Sequence, residues 1–305
     1  MTDTIASRDD TAARNRRGLI LMTGGFFAFS CADMLAKVLT ADFHAFQITW
    51  VRLFGLMAVV LVMLALKGPG MLRTKAPGLQ IFRGVIAIVS SLSFIIAIRY
   101  VPLAEGTAVS FVAPFMVTIL GALLLKEPVG IRRWLAIAVG FVGVLIIIRP
   151  GAGLLHPAIA FVLLAAACFA GRQIVSRYLG SSESTMTTVA YTAITACVLL
   201  FIPMVLVWKT PVEPLHLALF ALMATVAAAG EFLIIRALET ANAVVLAPMH
   251  YSLIIFATIW GFLVFGTLPD LFTWVGAGIV VASGLYTIYR ESKVKAQAPT
   301  VDPIP

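Results

Sequence analysis

Long, continuously apolar runs broken by short polar junctions dominate the chain. Ten of them, at about 18–38, 46–66, 79–98, 104–125, 132–148, 156–178, 185–207, 215–237, 243–265 and 271–289, approach the ~20 residues an α-helix needs to cross a ~30 Å hydrocarbon core. The runs are apolar at successive positions rather than alternate ones, so they predict helices and not the strands of a membrane barrel. The expected fold class is an all-α polytopic membrane protein. The first run follows a polar, arginine-bearing tail, but no small-residue cleavage site follows it, and it reads as a retained span rather than a signal peptide.

Sliding the chain against itself by 140 residues pairs Phe29 with Phe169, Leu79 with Leu219, Ala87 with Ala227 and Ala97 with Ala237. The same offset pairs Thr118 with Thr258, Gly121 with Gly261, Leu123 with Leu263, Trp134 with Trp274 and Ile148 with Ile288, and it superposes the ten runs five on five. Five is odd, so the second set must thread the membrane in the opposite sense to the first. The expected organisation is a tail at 1–17, a first five-helix repeat at 18–152, a second, inverted repeat at 153–290 and a tail at 291–305. Inverted repeats recur in secondary transporters, where two similar bundles exchange inward-open and outward-open arrangements about a site near the bilayer midplane.

Composition narrows the class further. Of 305 residues, 61% are hydrophobic and 12% charged, too few polar groups to cover a soluble domain. With the amino terminus inside, one face collects Arg8, Arg14, Arg16, Arg17, Lys67, Arg73, Lys75, Lys126, Arg132, Arg133, Arg177, Arg236, Arg290, Lys293 and Lys295. The other receives Lys37, Arg99, Arg149 and Lys209, while Arg52, Arg83 and Arg172 lie within or at the ends of runs. Cytoplasmic loops carry the excess of Lys and Arg, so both termini are expected in the cytoplasm. The net charge of +8 is spread as a topology signal and forms no groove-tracking patch, which argues against nucleic acid. Cys31, Cys168 and Cys197 lie inside apolar runs as packing residues. His44, His156, His216 and His250 are never spaced i, i+4, and no glycine-rich phosphate loop opens a helix, so neither a metal nor a nucleotide cofactor is expected.

The arginine-glycine pair at Arg83 and Gly84, the run SFVAPFMVTILGALLLKEP ending at Pro128 and the run APMHYSLIIFATIWGFLVFG ending at Gly266 resemble the EamA-type drug/metabolite transporters, nearest to the YddG-type amino-acid exporters. Where the family closes a span with a Gly-Glu pair, this chain carries Lys126-Glu127 and Gly266-Thr267. The resemblance implies a ten-helix basket in the inner membrane around a central cavity lined by helices 1, 3, 4, 6, 8 and 9, with helices 5 and 10 peripheral. It implies a monomeric exporter of amino acids, aromatic ones included, and related metabolites. The alternatives are a proton-coupled drug/metabolite antiporter, a channel or an intramembrane enzyme, but no charge ring, filter sequence or catalytic cluster speaks for the last two.

Polar side chains inside spans cost about 2.5 to 3.5 kcal/mol each and mark pathways or partners. Arg172 and Glu231 fall at similar depth in helices 6 and 8 and are expected to pair, either as a clasp between helices or as a receptor for a zwitterion, carboxylate on Arg172 and ammonium on Glu231. His250 and Tyr251 follow Pro248, which frees a backbone carbonyl; His250 is either an interior hydrogen-bonded residue or a pH sensor. Asp33 and Lys37, one turn apart, either pair with each other or leave Asp33 as a proton-coupling carboxylate. Phe29, Ser90, Ser91 and Gln173 complete the candidate substrate site.

Overall fold

The computed structural model describes residues 2–126, 129–149, 156–179, 183–241 and 243–297, and ten helices among them are long and apolar enough to span a membrane. They are α1 (Ala13–Leu39), α2 (Ala45–Lys67), α3 (Pro77–Ile98), α4 (Leu103–Leu124), α5 (Ile131–Ile148), α6 (Ile159–Leu179), α7 (Thr185–Leu206), α8 (Pro214–Thr240), α9 (Ala247–Phe265) and α10 (Leu271–Arg290). Two helical stretches outrun their expected ends, reaching back to Thr2 before α1 and on to Gln297 after α10. Neither flank holds a proline or glycine to stop them. The expected repeat boundary at 152/153, Glu127 and Pro128 of the family-like motif, Met1 and residues 298–305 lie outside the described residues.

Helix pairing obeys the repeat. α1 packs along α8 as α6 packs along α3; α2 lies on α8 as α7 lies on α3; α1 meets α9 as α6 meets α4. The other main pairs, α2 with α7, α4 with α9 and α5 with α10, map onto themselves when each helix is exchanged for the one five later. A pseudo-two-fold axis in the membrane plane therefore passes through those three contacts. Ten crossings return the chain to the side it left, the N-terminal face, opposite the far face.

The correspondence holds at the level of atoms. A Cβ on Gly55 of α2 would come within 2.4 Å of the Ala224 carbonyl oxygen on α8. The partners at offset 140 are Thr195 on α7 and Gly84 on α3, and a Cβ on Gly84 would come within 2.8 Å of Thr195 Cβ. Gly25 and Gly230 let α1 and α8 touch, each Cβ position lying 3.1 Å from the other's carbonyl oxygen. Their equivalents, Ala165 and Ser90, are joined by a hydrogen bond of 2.8 Å from Ser90 Oγ to the Ala165 carbonyl. Lipid tails are as apolar as leucine, so helices associate in a membrane by close backbone approach and such bonds rather than by hydrophobic burial.

Two spans are interrupted at the same register. α4 consists of Leu103–Ser110 and Ala113–Leu124, and α9 opens with a 3-10 turn at Ala247–Tyr251 before Ser252–Phe265. Pro114 and Pro248 stand at the starts of the second piece and of the turn, where their missing N–H groups are tolerated. The breaks bring Phe111 and Tyr251, equivalent residues, into ring contact at 5.1 Å, which places the axis between them and marks mid-depth. α4 and α9 end alike, with Lys126 at φ 54° and Gly266 at φ 64°, a left-handed turn that glycine adopts freely and lysine does not.

Candidate functional site

Charged side chains inside the bundle form two layers, one on each side of mid-depth. On the far side Arg52 of α2 donates to Asp33 of α1 at 2.6 Å, an ion pair with side chains 12% and 18% exposed. Lys37 does not pair with Asp33. Its ammonium donates instead to the carbonyl oxygens of Ile98 and, at 2.9 Å, Val101, capping the end of α3. Lys37 sits one turn beyond Asp33, near the end of α1, where the C-terminal carbonyls of α3 are the nearest acceptors and outcompete a carboxylate already held by arginine.

On the N-terminal side lie Arg83, Arg172 and Glu231. Arg83 Nε donates to Ser176 Oγ at 2.7 Å and Arg83 Nη1 to Thr192 Oγ1 at 2.8 Å, tying α3 to α6 and α7. Arg172 lies 5.0 Å from the Phe169 ring centroid, and its buried Nε has no hydrogen-bond partner. The expected direct pair between Arg172 and Glu231 is not formed: among the described residues no hydrogen bond or ion pair joins the two side chains. Equal depth on α6 and α8 did not suffice, because α6 packs along α3 and α8 packs along α1 and α2 rather than along α6.

The layers correspond under the repeat: Asp33 to Gln173 and Arg52 to Thr192. Arg83, Arg172 and Glu231 have Met223, Ala32 and Ser91 as their equivalents; in the far layer Asp33 is paired with Arg52 and Lys37 caps α3, while in the N-terminal layer two guanidinium groups face one carboxylate with no ion pair among the three. That excess of positive charge suits an anionic group. Asp33, Arg172 and Glu231 are only half-buried despite their depth.

Aromatic rings fill the middle. His250 meets Phe26 at 4.9 Å, Phe111 at 5.5 Å and Phe169 at 6.1 Å, all edge-on or tilted. Tyr251 is buried against Phe111, and Phe29 faces the Arg52 guanidinium at 5.8 Å. Ser91 and Gln173 are half-buried on the same helices. The structure thus gathers Arg172, Glu231, Phe29 and His250 around the α1–α3–α6–α8 core with Tyr251 beside them, while Ser90 is spent on the α6 backbone. Sequence reasoning left out Arg52, Arg83, Ser176 and Thr192, although Arg52 and Arg83 carried the same signal as Arg172, a cation inside an apolar run.

Both ends of the bundle are braced. At the far face Gln47 and Lys209 exchange two hydrogen bonds, 2.8 Å from Gln47 Nε2 to the Lys209 carbonyl and 3.0 Å from the Lys209 N–H to Gln47 Oε1, and Phe43 packs on Phe220 at 4.9 Å. At the N-terminal face the equivalents of Phe43 and Phe220 are Glu183 and Gln80; Glu183 accepts from the Lys75 N–H at 2.9 Å and from Gln80 Nε2 at 3.5 Å. The same brace includes a 2.7 Å bond from Thr187 Oγ1 to the Met71 carbonyl. One depression of about 230 Å³ lies at the N-terminal face between α5 and α10, and another of about 180 Å³ lies at the far face beside Phe43, Arg99 and Tyr100. Neither reaches the charged layers.

Residues 16–149 match the EamA-like transporter family, and residues 156–289 match it a second time. The chain belongs to the EamA-like transporter family. Among its relatives, an S-adenosylmethionine uptake transporter of Rickettsia bellii is 28% identical over 88% of this chain and 92% of its own. A riboflavin transporter of Vibrio cholerae is 28% identical over 91% and 94%, and a pseudopaline exporter of Pseudomonas aeruginosa 27% identical over 91% and 98%. A crystal structure with a TM-score of 0.59 and 15% identity covers 90% of this chain and 99% of its own, which shows a shared fold. This EamA-family protein is therefore a multi-pass membrane transporter of small molecules and not an enzyme.

Proposed function

We propose that this transporter is a secondary carrier for amino acids and metabolites that end in an α-amino-acid group, working by alternating access across the inner membrane with both termini cytoplasmic. The observation that carries the reading is the N-terminal layer of charge, in which Arg172 keeps a buried, unpartnered Nε beside Glu231. A substrate carboxylate completes the Arg172 guanidinium by a charge-assisted hydrogen bond, and its ammonium satisfies Glu231. Phe29, Phe169, His250 and Tyr251 supply apolar and aromatic wall for the rest of the molecule, and Gln173 and Ser91 its small polar edge. A transporter of S-adenosylmethionine, which has such a zwitterionic end, among the relatives favours this chemistry. The domain division at 152/153 and a monomeric unit belong to the same proposal, since the pseudo-two-fold axis relates the two halves within a single chain.

That relatives are named for uptake and for export supports a reading in which direction follows from the gradients imposed. Few groups could couple protons to transport: Asp33, locked to Arg52, and His250 are those through which protons would drive antiport.

The deciding measurement is uptake of labelled S-adenosylmethionine and amino acids into proteoliposomes. Arg172→Ala and Glu231→Ala are expected to reduce transport at least about tenfold, the loss of one charge-assisted bond, with the protein still folded. An Arg172→Glu/Glu231→Arg exchange is expected to fold without restoring transport. Normal transport by folded Arg172→Ala would refute the receptor role, and a rate indifferent to an imposed pH gradient would remove Asp33 and His250 as couplers.

A further inference from the structure

We infer that the depression between α5 and α10 at the N-terminal face is a binding site for the headgroup of an acidic glycerophospholipid. It has a volume of about 230 Å³ and is lined by Gly130, Ile131, Arg132, Arg133 and Arg290. Arginines from two helices that are distant in sequence converge on one hollow, which a scattered topology signal does not require. Arg132 and Arg290 are the two on which the inference rests: none of the ion pairs among the described residues engages either one. Among the described residues, no acidic side chain lines the hollow.

The repeat provides an internal comparison. At the far face the equivalent of Gly130 is Asp270, which opens α10, accepts from the Thr273 N–H at 2.8 Å and pairs with Arg149 across the α5–α10 contact. There the protein supplies its own anion to a guanidinium at the junction of these two helices. At the N-terminal face the same position is Gly130, which has no side chain to offer Arg132 or Arg290.

The walls favour a lipid over a soluble phosphate. Trp134 and Tyr289 stand exposed beside the hollow, at the level where amphipathic rings meet headgroups. Ile131 and Leu135, one turn apart on α5, and Leu285 of α10 are exposed apolar side chains on the two helices that form the hollow, a surface for acyl chains. Basic pockets between transmembrane helices at an interface are suited to acidic headgroups.

The test is titration of phosphatidylglycerol into the full-length protein in neutral detergent, with bound lipid counted by native mass spectrometry. The wild type is expected to retain phosphatidylglycerol in preference to phosphatidylcholine. Arg132→Gln/Arg290→Gln is expected to weaken it roughly 30-fold, from the usual contribution of each basic residue to acidic-lipid binding. If that double variant does not fold, Arg290→Gln alone carries the test with roughly a fivefold loss. Equal binding by wild type and variant overturns the inference. So does displacement of the lipid by millimolar glycerol 1-phosphate, which would make the site one for free phosphate; failure of glycerol 1-phosphate to displace it supports the lipid.

Discussion

Asp33 shows how one partner changes the meaning of a residue. Beside Lys37 on the same helix it read as either an interfacial pair or a proton-coupling carboxylate, and in the bundle its carboxylate is held at 2.6 Å by Arg52 from α2, well inside the membrane. Removing one member of such a pair strands the other. Asp33→Asn is expected to cost about 3 kcal/mol and Asp33→Asn/Arg52→Gln distinctly less, read as thermal unfolding in detergent. Equal losses would mean that the pair adds no coupling. Arg172, Glu231 and His250 were visible in the sequence because charge and imidazole stand out against apolar neighbours. Their ring neighbours were not visible, since Phe26, Phe111 and Phe169 look like any other span residue until packing brings them near.

At the scale of helices, the close approaches separate two kinds of obstacle. The Cβ of Gly55→Ala would meet the carbonyl of Ala224, which belongs to the α8 backbone and cannot yield without moving the helix. The Cβ of Gly84→Ala would meet the side chain of Thr195. Both single variants are expected to lose roughly 1 to 3 kcal/mol, as overpacked contacts do. Thr195→Gly, which removes the obstructing side chain from its Cβ outward, should recover much of the Gly84→Ala loss, and Ala224→Gly, which leaves the carbonyl in place, should recover little of the Gly55→Ala loss. Melting temperatures of the four single and two double variants decide it, and equal rescue in both pairs would contradict the geometry. Span number and span limits were legible because bilayer thickness dictates helix length, whereas the breaks in α4 and α9 were signalled only in part, by Pro114 and Pro248.

Across the molecule, two equivalent braces are built from different chemistry. The far brace is aromatic and amide, while the N-terminal brace depends on the Glu183 carboxylate. The backbone N–H of Lys75, aided by Thr74, Gln80 and the Lys75 charge, holds the exposed Glu183 carboxyl below its ordinary value of 4.5. A lowered pKa means that the contact is fully present above the ordinary value and is lost as pH falls through the lowered one. Hydrogen exchange at residues 74–80 is therefore expected to be flat between about pH 5 and 8, after correction for intrinsic rates, and to rise in stronger acid. Glu183→Gln should raise exchange there at neutral pH and leave residues 43–47 at the far brace unchanged. Exchange that is insensitive to Glu183→Gln would rule out the carboxylate as the fastening of that end.

The ten spans, their duplication and the opposite threading of the halves were already contained in the order of residues, because hydrocarbon thickness fixes the length of an apolar run and an odd number of crossings turns the second half over. So was the presence of buried charge, since an arginine or glutamate in an apolar run is costly wherever the run folds. Which charges meet could not be read in this way. Asp33 found Arg52, Arg83 found Ser176 and Thr192, and Arg172 was left without a partner for its Nε only once helices from the two repeats had packed against one another. Those contacts join residues far apart along the chain, and the backbone approaches that set them depend on small residues whose neighbours are defined in three dimensions.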